Sequence, residues 1–175
     1  MAASVMEENS AHDQKPTPQD YGRSGTVLGG EDLVQFVICK IGAEEFAVDV
    51  LAVQEIIRMV EITQVPKAPV FVEGVINLRG RIIPVLDLRR KFNLAAIGRT
   101  AETRIVVVLV KQRMVGLLVD SVEEVIRLNR ASIEPPPSLG SSAGAEFTLG
   151  IGRVGDRLLI LLDLDRLLVP TAAAA

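Results

Sequence analysis

Two stretches of the chain occur twice. Val53-Gln54-Glu55-Ile56-Ile57-Arg58 matches Val122-Glu123-Glu124-Val125-Ile126-Arg127 at four of six positions, 69 residues apart. Gly80-Arg81-Ile82-Ile83-Pro84-Val85-Leu86-Asp87-Leu88 matches Asp156-Arg157-Leu158-Leu159-Ile160-Leu161-Leu162-Asp163-Leu164 at four of nine, 76 apart, and most mismatches are apolar. Gly74 and Gly150 align at that same spacing of 76. Loops absorb the difference between the two offsets, because closure entropy rises slowly with loop length. The 175 residues therefore hold two related units of strand, turn, strand, breaker, hairpin and capped helix. Many short strands punctuated by turns point to small barrels, whose closure removes unpaired edges.

Within each unit the residue types set the elements. Residues 33–41 (LVQFVICKI) are β-branched and aromatic-enriched, with Phe36, Ile38 and Lys40 on one face and Cys39 on the other. Gly42-Ala43-Glu44-Glu45 reads as a turn, and Phe46-Ala47-Val48 starts the return strand. Val53, Ile56, Ile57 and Val60 fit a helical spacing, yet Val and Ile favour strands. The repeat favours a strand: Glu55 and Glu124 hold the same place after a hairpin, and lone helices this short are marginal. Pro66 and Pro69 break the chain, Gly74 opens a strand, and Asn77-Leu78-Arg79-Gly80 reads as a turn with Gly80 at positive φ. Pro84 in the returning strand 81–86 implies an edge or a bulge. Asp87 and Asp163 are N-caps of short helices over 88–92 and 164–169. Residues 93–103 read as a polar linker, Gln112-Arg113 as a two-residue hairpin connection, 129–146 as a Pro- and Gly-rich loop, and Gly155-Asp156 as the last hairpin turn. Residues 1–30 are expected to form a disordered tail, 31–169 the folded domain, and 170–175 a frayed end.

Composition removes most chemistry. Aromatics make up 3% of a chain that is 49% hydrophobic, which disfavours single-strand nucleic-acid binding by base stacking. Nineteen basic residues against 22 acidic ones leave no phosphate-seeking excess, so no nucleic-acid partner is expected. One His and one Cys exclude a Cys/His zinc site and a disulfide framework, and no cofactor is implied. A Ser-His-Asp triad would need His12, which lies in the tail and reads as solvated. Cys39 has no His to activate it and reads as a buried thiol. No apolar signal stretch follows Met1 and no run of 18 apolar residues occurs, so a cytoplasmic protein is expected.

The chain resembles the CheW-type chemotaxis coupling proteins. The resemblance rests on FAVDVLAVQEIIR (46–58), APVFVEGVINLRGRIIPVLDLRRKF (68–92), MVGLLVDSVEEVIRL (114–128) and GIGRVGDRLLILLDLDRLL (150–168). It implies an all-β fold with few short helices: two SH3-like five-stranded β-barrels, intertwined as subdomains. It also implies a non-enzymatic adaptor that bridges chemoreceptor cytoplasmic tips and the regulatory domain of the chemotaxis histidine kinase (CheA). Contact with the membrane is then made only through receptors, and weak self-association is compatible with exposed apolar strips.

By that resemblance, Val53, Glu55 and Arg79 are receptor-binding positions. Physically, a Val beside a carboxylate on a strand suits an amphipathic helix, apolar contact giving affinity and charge giving register. Arg79, at a turn, is able to donate a bidentate pair to a carboxylate. Each also has a structural role open to it: a local salt bridge for Arg79, core burial for Val53, and a role shared with Glu124 for Glu55. The resemblance implies a kinase contact at apolar ends of the barrels, here on the hairpins near 105–110 and 114–118. A related adaptor for a twitching or developmental pathway has the same sequence signature. A carboxylate enzyme or ligand-binding barrel would draw on Asp49, Glu55, Asp87, Asp120 and Asp163, of which Asp87 and Asp163 fit caps, and Asp49 and Asp120 hairpin ends.

Overall fold

The two units interleave their strands instead of folding side by side. The structure, a computed structural model, describes residues 32–136 and 145–168. The first unit supplies Leu33–Ile41 (β1), Glu44–Asp49 (β2), Val53–Arg58 (β3), Val72–Leu78 (β4), Arg81–Asp87 (β5) and the helix Leu88–Lys91 (α1). The second supplies Arg104–Val110 (β6), Arg113–Val119 (β7), Ser121–Asn129 (β8), Thr148–Val154 (β9), Arg157–Leu162 (β10) and the helix Leu164–Leu167 (α2). One sheet runs β8-β1-β2-β10-β9 and the other β3-β6-β7-β5-β4. Exchanging each strand for its repeat counterpart turns one order into the other. The molecule thus has a pseudo-twofold relation, and each sheet takes two strands from one unit and three from the other. Register obeys it too: Ile56 opposes Val106 as Val125 opposes Val37.

Each sheet closes into a barrel through the segment that follows its edge strand. Beyond β3, Thr63 bridges Val75 of β4 with bonds of 2.9 and 2.8 Å, and beyond β8, Glu134 bridges Ile151 of β9 at the same two distances. The aligned glycines lie on these seams. A Cβ on Gly74 would stand 2.3 Å from the Thr63 carbonyl oxygen, and one on Gly150 would stand 2.9 Å from that of Glu134. The repeat of these glycines is a repeat of the closure.

Three cores account for the aliphatic composition. Val34, Phe36, Ile38, Leu159 and Leu161 fill the first barrel; Ile76, Ile83, Val85, Ile105 and Val107 fill the second. Between the barrels, Val37, Cys39 and Phe46 pack on Val106, Val108 and Leu117, with the Phe46 and Phe92 rings stacked at 5.1 Å. β1 and β6 are buried on both faces, so they read as nearly continuous apolar runs.

The turns and caps follow their residues. β3 is a strand. Arg79 and Gly80 adopt φ of 51° and 82° in a two-residue hairpin, whose primed twist suits the flanking strands. Asp87 and Asp163 accept backbone N–H bonds at the starts of α1 and α2, which end at Lys91 and Leu167, shorter than expected. The expected Gln112-Arg113 connection is instead Lys111-Gln112, both at positive φ, because β7 already begins at Arg113. Pro84 sits one residue before the β5–β7 ladder begins at Val85, so its missing N–H removes no bond there. His12 and the expectations for 1–30 and 170–175 lie outside the described residues.

Candidate functional site

β3 is an edge of the second sheet's hydrogen-bonded order, and its side chains alternate between half-buried and exposed. Val53 is half-buried and packs on the core between the barrels. Glu55 opposes Val107 while Val53 opposes Val108, so Gln54 is the extra residue of a bulge. Across the barrel end, the Arg79 guanidinium donates to Glu55 Oε1 at 2.9 Å. Arg79 is 78% exposed and Glu55 only 27%. The Gly80 N–H donates to Asn77 Oδ1 at 3.0 Å, which fixes the turn that carries Arg79. The three expected residues therefore divide. Glu55 and Arg79 meet as an ion pair between β3 and the β4–β5 turn, and Val53 lies on the inward side of the same strand.

The pseudo-twofold relation separates fold from surface at this site. Glu124, the counterpart of Glu55, is also held by an arginine: Arg157 donates to Glu124 at 2.6 Å and to Glu45 at 2.8 and 3.0 Å. That hydrogen bonding holds the Glu45 carboxyl below its usual range. The bulge recurs beside Val122 and Glu124. A glutamate fastened at the end of the barrel is thus a feature the fold uses twice. The aliphatic corner beside it is not repeated. Leu51 is 84% exposed and Leu109 41%, and the Leu109 N–H donates to the Ala52 carbonyl at 2.8 Å, which places both leucines beside Val53. Their counterparts, 69 residues away, are Asp120 and Lys40. Sequence reasoning missed Leu51 and offered Leu109 only within the 105–110 kinase segment; the signal was available as the two repeat positions where leucine exchanges with a charge.

Much of the two segments expected to meet the kinase is spent on packing. Ile105, Val106, Val107, Val108 and Leu117 are fully buried. The middle of β6 is thus unavailable to a partner, both its faces lying inside cores, whereas Leu109 near the hairpin end of the expected segment is exposed. Exposed apolar side chains occur instead at Ile82 and Leu158, equivalent positions on β5 and β10.

The carboxylates do not form a reactive pair. Asp87 and Asp120 do line one cavity of about 310 Å3 between the barrels, but both are occupied. Asp87 caps α1, and Asp120 takes two bonds from Arg89 at 2.6 and 2.7 Å and one from the Gly42 N–H at 2.8 Å. Burial raises the Asp120 carboxyl pKa, but the Arg89 and Gly42 bonds outweigh it and hold the value below the ordinary range. A carboxylate held ionised in this way is a poor proton donor. Burial pushes the Cys39 thiol up to about 12, which removes it as a nucleophile. Among the described residues, no group of three or more His, Cys, Asp or Glu side chains is placed to hold a metal. No helix there is long and apolar enough to cross a membrane.

Comparison with known proteins supplies the context. A family model described as the CheW-like domain matches residues 35–170. The chemotaxis protein CheW of Klebsiella aerogenes is 39% identical over 142 residues, covering 81% of this chain and 86% of that protein. Protein FrzA of Myxococcus xanthus is 32% identical over 77% of this chain and 84% of its own length. The crystal structure of the scaffolding protein TtCheW from Thermoanaerobacter tengcongensis superposes with a TM-score of 0.75 at 35% identity, covering 81% of this chain and 97% of that one.

Proposed function

The chain belongs to the CheW-like family of non-enzymatic chemosensory scaffold adaptors, and on that premise we propose that it couples chemoreceptor cytoplasmic tips to the chemotaxis histidine kinase. The observation that carries this reading is the corner of Leu51, Val53 and Leu109 beside the Glu55–Arg79 pair. An amphipathic receptor helix lays its apolar side chains on the leucines and meets the ion pair with its polar flank. The leucines supply affinity and the charges fix register. The regulatory domain of the kinase docks on the exposed aliphatic positions that both barrels share, Ile82 and Leu158. With no chemistry of its own, the protein acts by position: it holds receptor and kinase in one assembly, so that receptor conformation biases kinase activity.

The Arg79→Ala variant tests the receptor half. In a reconstituted array it loses receptor-dependent kinase control while its melting curve is unchanged, because an ion pair this exposed adds only about 0–1 kcal/mol to stability. Normal coupling by that variant overturns the assignment of Arg79. For the kinase half, absence of binding to the regulatory domain at high micromolar concentration refutes the adaptor reading. Leu158→Asp weakens that binding if the second surface is assigned correctly. A second version of the same proposal is an adaptor of a twitching or developmental pathway, which shares the same sequence signature. A pull-down from the native cell identifies which receptor set is engaged.

A further inference from the structure

The second barrel carries two hairpin turns at one end. β5 and β7 run parallel, Val85 level with Gly116, so the turns that precede them, Arg79-Gly80 and Lys111-Gln112, lie side by side. Arg81 Nη1 stands 3.3 Å from Met114 Sδ, which joins the starts of the two strands. Met114 opposes Leu109, so this end runs on into the corner of Leu51 and Leu109. Arg79, Arg81, Lys111 and Arg113 are all exposed. Against these four cations the end sets Glu55, which takes one bond from Arg79. Asp49, beside the corner, is turned back on the Leu51 N–H at 2.9 Å. Among the described residues, no carboxylate pairs with Arg81, Lys111 or Arg113.

The first barrel builds the same end with the charge reversed. Its turns are Gly42-Ala43 and Gly155-Asp156, set side by side by the parallel pairing of β2 and β10, Glu45 level with Leu159. Arg113 becomes Glu44 and Met114 becomes Glu45, 69 residues earlier. Gly80 becomes Asp156, 76 residues later, while Lys111 and Arg79 become the glycines Gly42 and Gly155. Four carboxylates, Glu44, Glu45, Glu124 and Asp156, thus stand with two cations, Arg157 and Lys40. Both cations are engaged within the barrel: Arg157 bonds Glu45 and Glu124, and Lys40 lies across the strand pair from Glu45. One backbone shape is presented twice with opposite charge. Lys111 and Arg113 make no ion pair among the described residues, so the reversal is not a demand of folding.

We propose that Arg81, Lys111 and Arg113, together with Arg79, select a helix whose apolar stripe is flanked by carboxylates, and admit it to the second barrel's end alone. The identity of that helix as a receptor tip rests on the function proposed above; its charge rests on the two barrel ends. A fold with pseudo-twofold symmetry offers a helix two docking places of similar shape, so something besides shape has to choose between them. At the second barrel, Leu51 and Leu109 take the apolar stripe and the four cations take its acidic flanks. At the first barrel, Asp120 and Lys40 replace the leucines and the four carboxylates repel the same flanks. Discrimination thus has an attractive half and a repulsive half. The charges are exposed, so each pair contributes modestly, is screened by salt and steers the approach of the helix.

Two synthetic helical peptides with the same leucine stripe, one flanked by glutamate and one by lysine, are titrated into the full-length protein. The Leu51 and Leu109 methyl resonances report the second barrel's end, and those of Leu158 the first. The glutamate peptide is expected to shift Leu51 and Leu109 and not Leu158, and to bind severalfold more tightly there than the lysine peptide. Its affinity falls as salt rises from about 0.1 M to about 1 M, where the screening length shrinks from about 10 Å to about 3 Å. Lys111→Glu and Arg113→Glu each weaken it severalfold, and Lys111→Gln and Arg113→Gln weaken it less, with urea midpoints unchanged. Lys67→Glu makes the same change of net charge before β4, whose far end carries the Arg79 turn, and leaves the affinity within twofold. Equal affinity for the two peptides overturns the proposal. So does indifference to the Lys111 and Arg113 variants, a shift of Leu158 as large as that of Leu51, or no binding of the glutamate peptide at millimolar concentration. A receptor-tip helical fragment separates this proposal from the function it rests on. If the fragment shifts Leu51 and is indifferent to Arg113→Glu, charge selection fails and the receptor contact stands. If it does not bind where the glutamate peptide does, the receptor contact fails and charge selection stands.

Discussion

Gly74→Ala tests whether the single bridge on each seam holds its barrel shut. Gly74 has φ of +152°, and a methyl there would stand 2.3 Å from the Thr63 carbonyl oxygen and 2.7 Å from Ile62 Cγ2. The first contact is with backbone, so relief requires the Thr63–Val75 bridge to open and its two hydrogen bonds to break. Two such bonds contribute about 2 kcal/mol together. Forcing alanine into a left-handed conformation costs a further ~1–3 kcal/mol. The expected loss is about 3–5 kcal/mol, a large fraction of a typical domain's ~5–15 kcal/mol. Two companion variants separate the contributions. Gly150→Ala meets the equivalent carbonyl, of Glu134, at 2.9 Å with no positive φ, and loses about 2 kcal/mol from its bridge alone. Gly80→Ala has φ of +82° but nothing within 4 Å, and loses about 1–2 kcal/mol from conformation alone. Urea unfolding measures all three. With a slope of about 2 kcal/mol per molar, the Gly74→Ala midpoint falls by about 2 M. If Gly74→Ala and Gly80→Ala unfold at the same urea concentration, the seam contributes nothing and the closure argument fails.

Asp120→Asn leaves Arg89 without its carboxylate and costs about 1–3 kcal/mol at pH 7, the pair being only partly buried. Because the folded-state pKa of Asp120 is lowered, the ion pair's contribution is complete above the ordinary carboxyl range and is lost as pH falls through the folded value; the gap between wild type and variant in urea unfolding therefore closes on acidification, and a gap independent of pH refutes the assignment. Lys91 gives a slope of the same sign in the alkaline range: its Nζ lies 3.7 Å from the Phe71 ring centroid, and burial lowers its pKa. The folded state therefore sheds that proton first, and stability rises between the folded value and 10.5; Lys91→Met removes this rise from the pH profile of unfolding. The Cys39 thiol reacts with a disulfide reagent at pH 8 only at the rate of global unfolding, and fast reaction in native buffer contradicts its burial. Leu51→Asp abolishes binding of a receptor-tip helix and leaves the urea midpoint unchanged, since Leu51 is almost fully exposed.

What was legible in the sequence is what the backbone demands locally. Asp87 and Asp163 announce caps, Arg79-Gly80 and Gly155-Asp156 announce turns, and the doubled Val-x-Glu stretch announces a strand that helical spacing alone would have misread. The exchange of strands was not legible from residues, because the pairing of β1 with β8 and of β3 with β6 joins segments far apart in sequence. The same gap hides which part of the expected kinase segments is buried. A run such as Ile105-Val106-Val107-Val108 is apolar at every position, and only the presence of a core on each face distinguishes burial from an exposed strip. At the site, Glu55 and Arg79 were individually visible, while their contact depends on barrel closure bringing a turn to an edge strand.

The duplicated fold carries its own control for function. Where backbone geometry requires a residue, both halves keep it: Gly74 with Gly150, Asp87 with Asp163, and Glu55 with Glu124, each glutamate fastened by an arginine. The Glu55–Arg79 pair therefore has a structural explanation, and its repetition weakens the case that Glu55 exists for a partner. The positions without a structural explanation are those where the halves disagree. Leu51 against Asp120 and Leu109 against Lys40 are such positions, and Leu51 of the first unit and Leu109 of the second are exposed aliphatics, which folding stability does not require. Leu51 and Leu109 are thus stronger candidates for the receptor surface than Glu55. Arg79 keeps its claim as well, because its counterpart by offset is Gly155 and the second half fastens its glutamate with Arg157 instead. The ranking is testable in one binding series: Leu51→Asp and Arg79→Ala should each weaken a receptor-tip fragment more than Glu55→Gln does. The reverse order would mean that the repeated feature, and not the unshared one, is what the partner reads.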